Sequence, residues 1–497
     1  MPSSTPRALL AALLLAPTAP AQTTQVSTGD DLVAIVNAAS DGDVIEIYSD
    51  ATFQGSLTWT AKELTIRSAF GYFPTIEGTP GSTVVDLPPN DPPTRATFRG
   101  LRLQRGGIPA GQPAPSSAIL LGNSGSGTAA VELTLEDCEV FGLLTCNGLG
   151  TTTVQGDFRS TRFESEVYLY GSQSLGMDLE FEDCTFDRLF LATISGALST
   201  KGADLTVRRS RFRWGARFES FSVGVLQFNV ESCLVVKENG GFTEGIRVLG
   251  GPVGDFSNLT VTGFQTGIQG RPSVSWHNML LYGNGQDLDD VAANEIEFSL
   301  IADGTHDGLN GNFSGTPHLD ADYALYACSP GIDAGINTAP GLGATDLHGD
   351  PRFQDNDADF AFQVNVGAVE SSGSAPASAV VANGTGQNPL AYIDTSLPTV
   401  GATYSSFISL APATFLSVVA FDAPSQPVTS PSWFGELLIQ IGTNTLFNFG
   451  LGPHQQPIPN DCNLIGLDIR SQGFRIDSFQ GVVSTHCLNA IDLTVGT

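Results

Sequence analysis

Four stretches of this 497-residue chain carry residue types that do chemistry. In "DNDADF" (355–360), Asp355, Asp357 and Asp359 have the opening spacing of a Ca²⁺ loop, with carboxylates at alternate positions around a hard cation. The rest of that pattern departs: Phe360 stands where glycine belongs and Val366 where the closing glutamate belongs, so a solvated acidic loop competes. In "RRSRFRWGAR" (208–217), guanidinium groups surround Trp214, the make-up of a ligand site with an aromatic platform. Glu-Asp-Cys occurs twice, in "LTLEDCEVF" (133–141) and "LEFEDCTF" (179–186), where a carboxylate beside a thiol suggests a metal ligand or a nucleophile.

The elements that must position these residues are legible as a repeat. Aligned on Cys184, the equivalent positions are Leu101, Cys138, Thr161, Ser210, Cys233, Leu259, Met279 and, more weakly, Ser299. The steps are 37, 23, 23, 26, 23, 26, 20 and 20, the first holding a Pro/Gly-rich insertion near 107–117. A period of 20–26 with short strands in each unit means a β-solenoid. Leu133 and Leu135 are two apart and share a face, but Cys138 lies three beyond Leu135, so the chain must bend between them. Asp137, Ser160, Asp183, Arg209, Ser232, Asn258 and Asn278 occupy that bend, mostly types that favour turns. The cysteine therefore points into the core as a small apolar side chain, and its aspartate makes a corner.

Charge confirms the register. Two residues before each aligned position lie Arg99, Glu136, Arg159, Glu182, Arg208 and Glu231, alternating in sign over successive coils. Stacked strands sit about 4.8 Å apart, where opposite charges attract and like charges repel. Within the arginine cluster this pairs Arg208 with Glu182 and Glu231, Arg209 with Asp183, and Arg213 with Asp187. Arg211 and Arg217 are left without an evident partner and, with Trp214, are the candidate ligand contacts.

Arg7, the apolar run 8–16 and Ala19-Pro20-Ala21 form a secretory leader over 1–21, whose apolar run is too short to span a bilayer. The formal charge is −29, and loss of Arg7 leaves the mature chain one unit more negative. Such a polyanion disfavours nucleic acid and anionic lipid and suits cations or neutral or basic polymers. Plentiful turn formers (56 Gly, 29 Pro) fit an all-β chain. "TGDDLVAIVNAAS" (28–40) predicts a helix capped by Thr28 or Asp30, covering the first coil, with "GDVIEI" (42–47) as the first strand. "SSGSAPASA" (371–379) has a linker's composition, and beyond it six or more strands with Pro/Gly turns predict a small β-sandwich.

"DLVAIVNAASDGDVIEI" and "KELTIRSAFGYFPTIEG" (62–78) resemble the opening of bacterial right-handed parallel β-helix proteins with the pectin lyase-like fold. The segment 323–370 resembles the closing motif of the secreted choice-of-anchor Q group, through Ser329-Pro330, Ile332-Asp333-Ala334-Gly335, Asp346, Gly349, Pro351-Arg352 and Gly367-Ala368-Val369-Glu370. That group usually has aspartate where this chain has Asn365. The resemblance covers about residues 28–370 and implies a right-handed β-helix at or outside the cell surface; it implies no reaction. Residues 458–496 resemble a C-terminal surface or sorting module of secreted bacterial proteins.

The expected organisation is a leader at 1–21, an all-β right-handed parallel β-helix at 22–370, a linker at 371–380 and an antiparallel β-sandwich at 381–497. Seven cysteines leave at least one unpaired. Cys138, Cys184 and Cys233 lie two coils apart, beyond disulfide reach, whereas Cys462 and Cys487 share the terminal domain and are expected to bridge. The six histidines are scattered, and no HExxH, Walker loop, GxSxG or zinc spacing occurs. The Asp pairs, Asp30-Asp31 and Asp289-Asp290, come without the Gly-His-Gly of pectin hydrolases. A lyase needing only Asp-bound Ca²⁺ and an Arg or Lys base is not excluded by spacing. The leading expectation is a secreted or cell-surface, monomeric, non-catalytic adhesion or glycan-binding scaffold that requires no cofactor, with Ca²⁺ as an optional ion. Its rivals are a polysaccharide lyase or glycoside hydrolase, and a structural envelope component.

Overall fold

Period-two alternation, interrupted once per coil by a bend, winds the chain into a right-handed parallel β-helix followed by a small antiparallel β-sandwich. The computed structural model describes residues 21–107, 117–122, 129–148, 153–172, 176–195, 202–221, 226–238, 240–270, 274–354, 362–370, 373–430 and 433–497. Among these, the helix strands form parallel sheets of 12, 10 and 11 strands. Register follows the charge alignment: Glu136 pairs with Arg99 and Arg159, and Glu139 with Arg102 and Arg162. Every predicted corner has left-handed backbone: Asp137, Ser160, Asp183, Arg209, Ser232, Asn258 and Asn278 lie at φ 45–55° or, for Asn278, 56°. Such a conformation is strained for non-glycine residues, least so for Asn and Asp, and stacking imposes it even on Arg209 and Phe298.

The residue after each corner is more than filler. Thr161, Ser210 and Ser299 donate their hydroxyls to the carbonyl two residues back, at 2.9, 2.7 and 2.9 Å. Cys138, Cys184 and Cys233 donate their thiols to the equivalent carbonyls at 3.3, 3.4 and 3.0 Å. Ser, Thr and Cys thus share one task, satisfying a carbonyl that the bend turns inward, which explains their interchange along the repeat.

One compact unit comprises the coils to residue 179 together with 195–203. Its helix, Leu32–Ala38, is capped by Asp31, which accepts from the Ala34 N–H; Asp30 instead accepts from Ser27 N. Leu32 and Val36 are buried. A strand, Thr23–Val26, precedes this helix and pairs with Val44–Ile47, so the first strand comes earlier than expected. Its outward charges are joined: Arg67–Glu46 at 2.9 Å, Arg95–Glu132 at 2.6 Å, Arg99–Glu136 at 2.8 Å and Arg102–Glu139 at 2.7 Å.

The second unit comprises 180–194 and 204–497. Inside its coils aromatic rings stack, Phe186 on Phe212 at 4.8 Å and Phe256 on Trp276 at 4.1 Å. Arg208 meets Glu231 at 2.8 Å as expected. Its second acid is Glu180 at 3.2 Å, because Glu182 turns to Arg209 at 2.9 Å.

Residues 329–354 and 362–370 lie along this unit's corners. Asn278 accepts from Ile336 N at 2.7 Å and donates to Ile336 O at 3.1 Å; Asn258 donates to Asn365 O at 3.0 Å. Ser232 donates to Thr345 O at 3.3 Å and accepts from Arg352 at 2.9 Å. Arg352 and Glu370 are fully buried and paired at 3.3 Å. The motif residues of 329–370 are therefore a cover whose polar groups are built to meet the corners.

In the sandwich, Ser378–Ala382 pairs with Val482–Thr494, so a strand begins inside the stretch whose composition is that of a linker. Behind it stand Asp468–Phe479, Thr414–Asp422 and Leu446–Gly450, while Tyr392–Asp394, Thr403–Ile408 and His454–Pro457 form the facing sheet. The disulfide differs from expectation. Cys462 bridges Cys328, the residue just before the cover, not Cys487. Cys487 is held mid-strand opposite Phe474, in an apolar cluster with Val418 and Ile439, whereas Cys462 sits in a short 3₁₀ turn outside that sheet. Burial pushes the free thiols of Cys138, Cys146 and Cys487 up to about 12 and raises that of Cys233 too, which makes them inert.

Candidate functional site

Strand pairing decides which side chains of the arginine cluster are free. Arg211 stands in a short strand between Thr185 and Leu234, neither of which can neutralise it. Its Nε is buried without a hydrogen-bond partner, and its guanidinium carbon lies 5.7 Å from the centre of the Tyr323 ring. Among the described residues no carboxylate pairs with it. Its neighbour Arg209 is fully engaged: both Asp183 oxygens accept from it at 2.8 Å and Glu182 lies at 2.9 Å, so its guanidinium is held above its ordinary range, the Asp183 bonds being the main cause.

Arg211 opens on a cleft of about 230 Å³ lined by Asp183, Arg209, Asp322 and His348, with Cys184, Leu234 and Leu347 also at its walls. That is smaller than the roughly 300–1,000 Å³ of drug-sized pockets and suits a group of one ring's size. His348 is positioned by the buried Asp346, which accepts from its N–H at 2.9 Å, from Asp350 N at 2.8 Å and from Glu370 N at 2.7 Å. The His348 ring lies 3.4 Å from the Asp322 carbonyl, on the solvent side. Chemically the cleft offers one unneutralised cation, one imidazole and, beside the ion-paired Asp183, a second exposed carboxylate, Asp322.

The other two candidate contacts have internal partners. The Arg188 guanidinium stacks at 4.0 Å over the Trp214 ring. Arg217 pairs with Glu244 at 3.5 Å and lies 3.9 Å over Phe242. Neither lines the Arg211 cleft. Glu244 belongs to the ten-stranded sheet, outside the repeat segment aligned above, so that alignment could not pair Arg217. His348 was missed because it is distant in sequence; its signal was the Asp346-centred turn of the closing motif. Asp355, Asp357 and Asp359 fall outside the described residues. Among the described residues no group of three or more His, Cys, Asp or Glu is placed to hold a metal, and no helix is long and apolar enough to cross a membrane.

No protein-family model matches the chain, and no curated protein matches it significantly. Among solved structures it is similar to an arginine-to-alanine mutant of AlyGC, a PL6 family alginate lyase, with 12% identity and a TM-score of 0.28. The match covers 61% of this chain, which spans 55% of the lyase chain.

Proposed function

We propose that the chain is a secreted, glycan-binding β-helix that contacts its ligand through the Arg211 cleft and holds it without cleaving it. The carrying observation is that most outward arginines of the wall are joined to acids while Arg211, facing a cleft, is left out. A guanidinium with spare donors beside a tyrosine ring and an imidazole suits sugar hydroxyls and carboxylates. The leader-like start and a disulfide, a bond that persists in oxidising compartments, support an extracellular setting. The closing motif, whose residues form the buried cover, supports kinship with the choice-of-anchor Q group.

The test uses residues 22–497 with acidic and neutral polysaccharides, with and without Ca²⁺. Arg211→Ala should weaken binding about tenfold, the loss of one charge-assisted contact, without lowering the melting temperature. Reducing ends report hydrolysis and absorbance of a new double bond reports elimination. Sustained turnover, lost in Arg211→Ala or His348→Ala, would replace the binding reading with a lyase or hydrolase.

A further inference from the structure

The first unit presents aromatic rings to solvent away from any core. Phe70 is fully exposed, and Tyr48, Tyr72 and Phe73 are each more than a third exposed. Tyr48 and Tyr72 stand 24 residues apart, one coil step, and their rings meet edge-on with centres 6.3 Å apart. Phe70, Tyr72 and Phe73 share one tight turn, closed by Tyr72 N donating to Ala69 O at 3.1 Å and by Phe73 N donating to Asp50 at 2.7 Å. Gly71 at φ 86° lets the chain make this turn. Isolated exposed rings are ordinary; several gathered on anchored backbone are a patch that needs a partner.

The surroundings identify that partner's chemistry. Tyr48 donates its hydroxyl to Glu46 at 2.5 Å, Gln25 lies 3.5 Å from the same hydroxyl, and Arg67 pairs with Glu46 at 2.9 Å. The patch is thus apolar rings edged by amide, carboxylate, guanidinium and phenol groups, in which Glu46 and Arg67 cancel and Asp50 adds a negative charge. A sugar ring has the matching surface, a C–H face for an aromatic ring and hydroxyls at its rim for such side chains. The chain's charge of −29 opposes a polyanion, and a patch with no excess of positive charge offers an acidic glycan nothing to offset that repulsion. We infer that Tyr48, Phe70, Tyr72 and Phe73 form a binding platform for a neutral glycan. It is independent of the Arg211 cleft and differs in ligand class.

The mature chain is titrated by calorimetry with cellohexaose, mannohexaose and xylohexaose, and with oligogalacturonate as the acidic probe. Expected is binding of at least one neutral hexasaccharide, weakened about tenfold in Phe70→Ala and further in the Phe70→Ala/Tyr72→Ala double variant. The double variant should keep the acidic-polysaccharide binding ascribed to Arg211, which separates this platform from the cleft. Phe70 packs against nothing, so its variant folds; circular dichroism and the melting temperature confirm this for both variants. The inference is overturned if none of the three neutral probes binds, if the double variant binds as wild type, or if oligogalacturonate is preferred at these rings. It is equally overturned if sedimentation shows the wild type self-associating and the double variant not, which would make the rings a protein interface.

Discussion

Two sets of corners in the β-helix share one backbone conformation and differ in everything above it. Asp137, Ser160 and Asp183 turn at φ 48–55° and face solvent. Ser232, Asn258 and Asn278 turn at φ 54–56° and are buried under residues 329–354 and 362–370. Coil stacking therefore dictates the left-handed bend, and what lies on the corner dictates the side chain. An open corner needs only a residue that tolerates the bend. A covered corner needs donors and acceptors aimed outward, because the backbone groups that dock there leave water and must be matched.

The largest expected effect is in the cover itself. Glu370→Ala leaves the buried Arg352 and the Asn365 N–H without the carboxyl that accepts from both and should cost about 3–5 kcal/mol in chemical denaturation. Burial raises the Glu370 carboxyl from its ordinary 4.5 to about 8, against the pull of Arg352. An acid raised in the folded state contributes stability that is full below about 4.5 and is lost as pH climbs through about 8. Glu370→Gln should flatten that part of the stability profile between those values; an unchanged profile would show that other groups govern it.

Next comes the covered corner. Asn278→Ala removes the bonds to Ile336 and Asn258 and leaves an alanine at φ 56°, a loss of about 2–4 kcal/mol. Smallest is the open corner. Asp137→Gly should change stability by less than about 0.5 kcal/mol, since glycine accepts φ 53° freely and no cover rests there. Equal costs for Asn278→Ala and Asp137→Gly would erase the distinction between the two sets of corners.

Much of this fold was legible because a solenoid writes its geometry locally. The odd step from Leu135 to Cys138 announces the bend, and the Arg/Glu alternation announces the register. Arg211 was readable as unpaired because its stacked neighbours, Thr185 and Leu234, are uncharged. Other features hid because their causes lie far away in the chain. Asn258 and Asn278 read as turn formers, while their partners Asn365 and Ile336 are 107 and 58 residues distant. Pairing of Cys462 depended on where the cover places Cys328, 134 residues earlier. The aromatic patch did leave a trace, since Tyr48 and Tyr72 differ by one coil period, but aromatic residues on a solenoid more often stack inward, as Phe186 and Phe212 do.

The Cys328–Cys462 bridge changes what a broken chain means. It closes a covalent ring around the joint at 371–377 and the first strands of the sandwich. A single peptide-bond cut anywhere from 329 to 461 converts one chain into two but releases neither. A protease working on the joint would produce a nicked molecule of unchanged composition, and the terminal module would part from the coils only after a second event, reduction of the bridge.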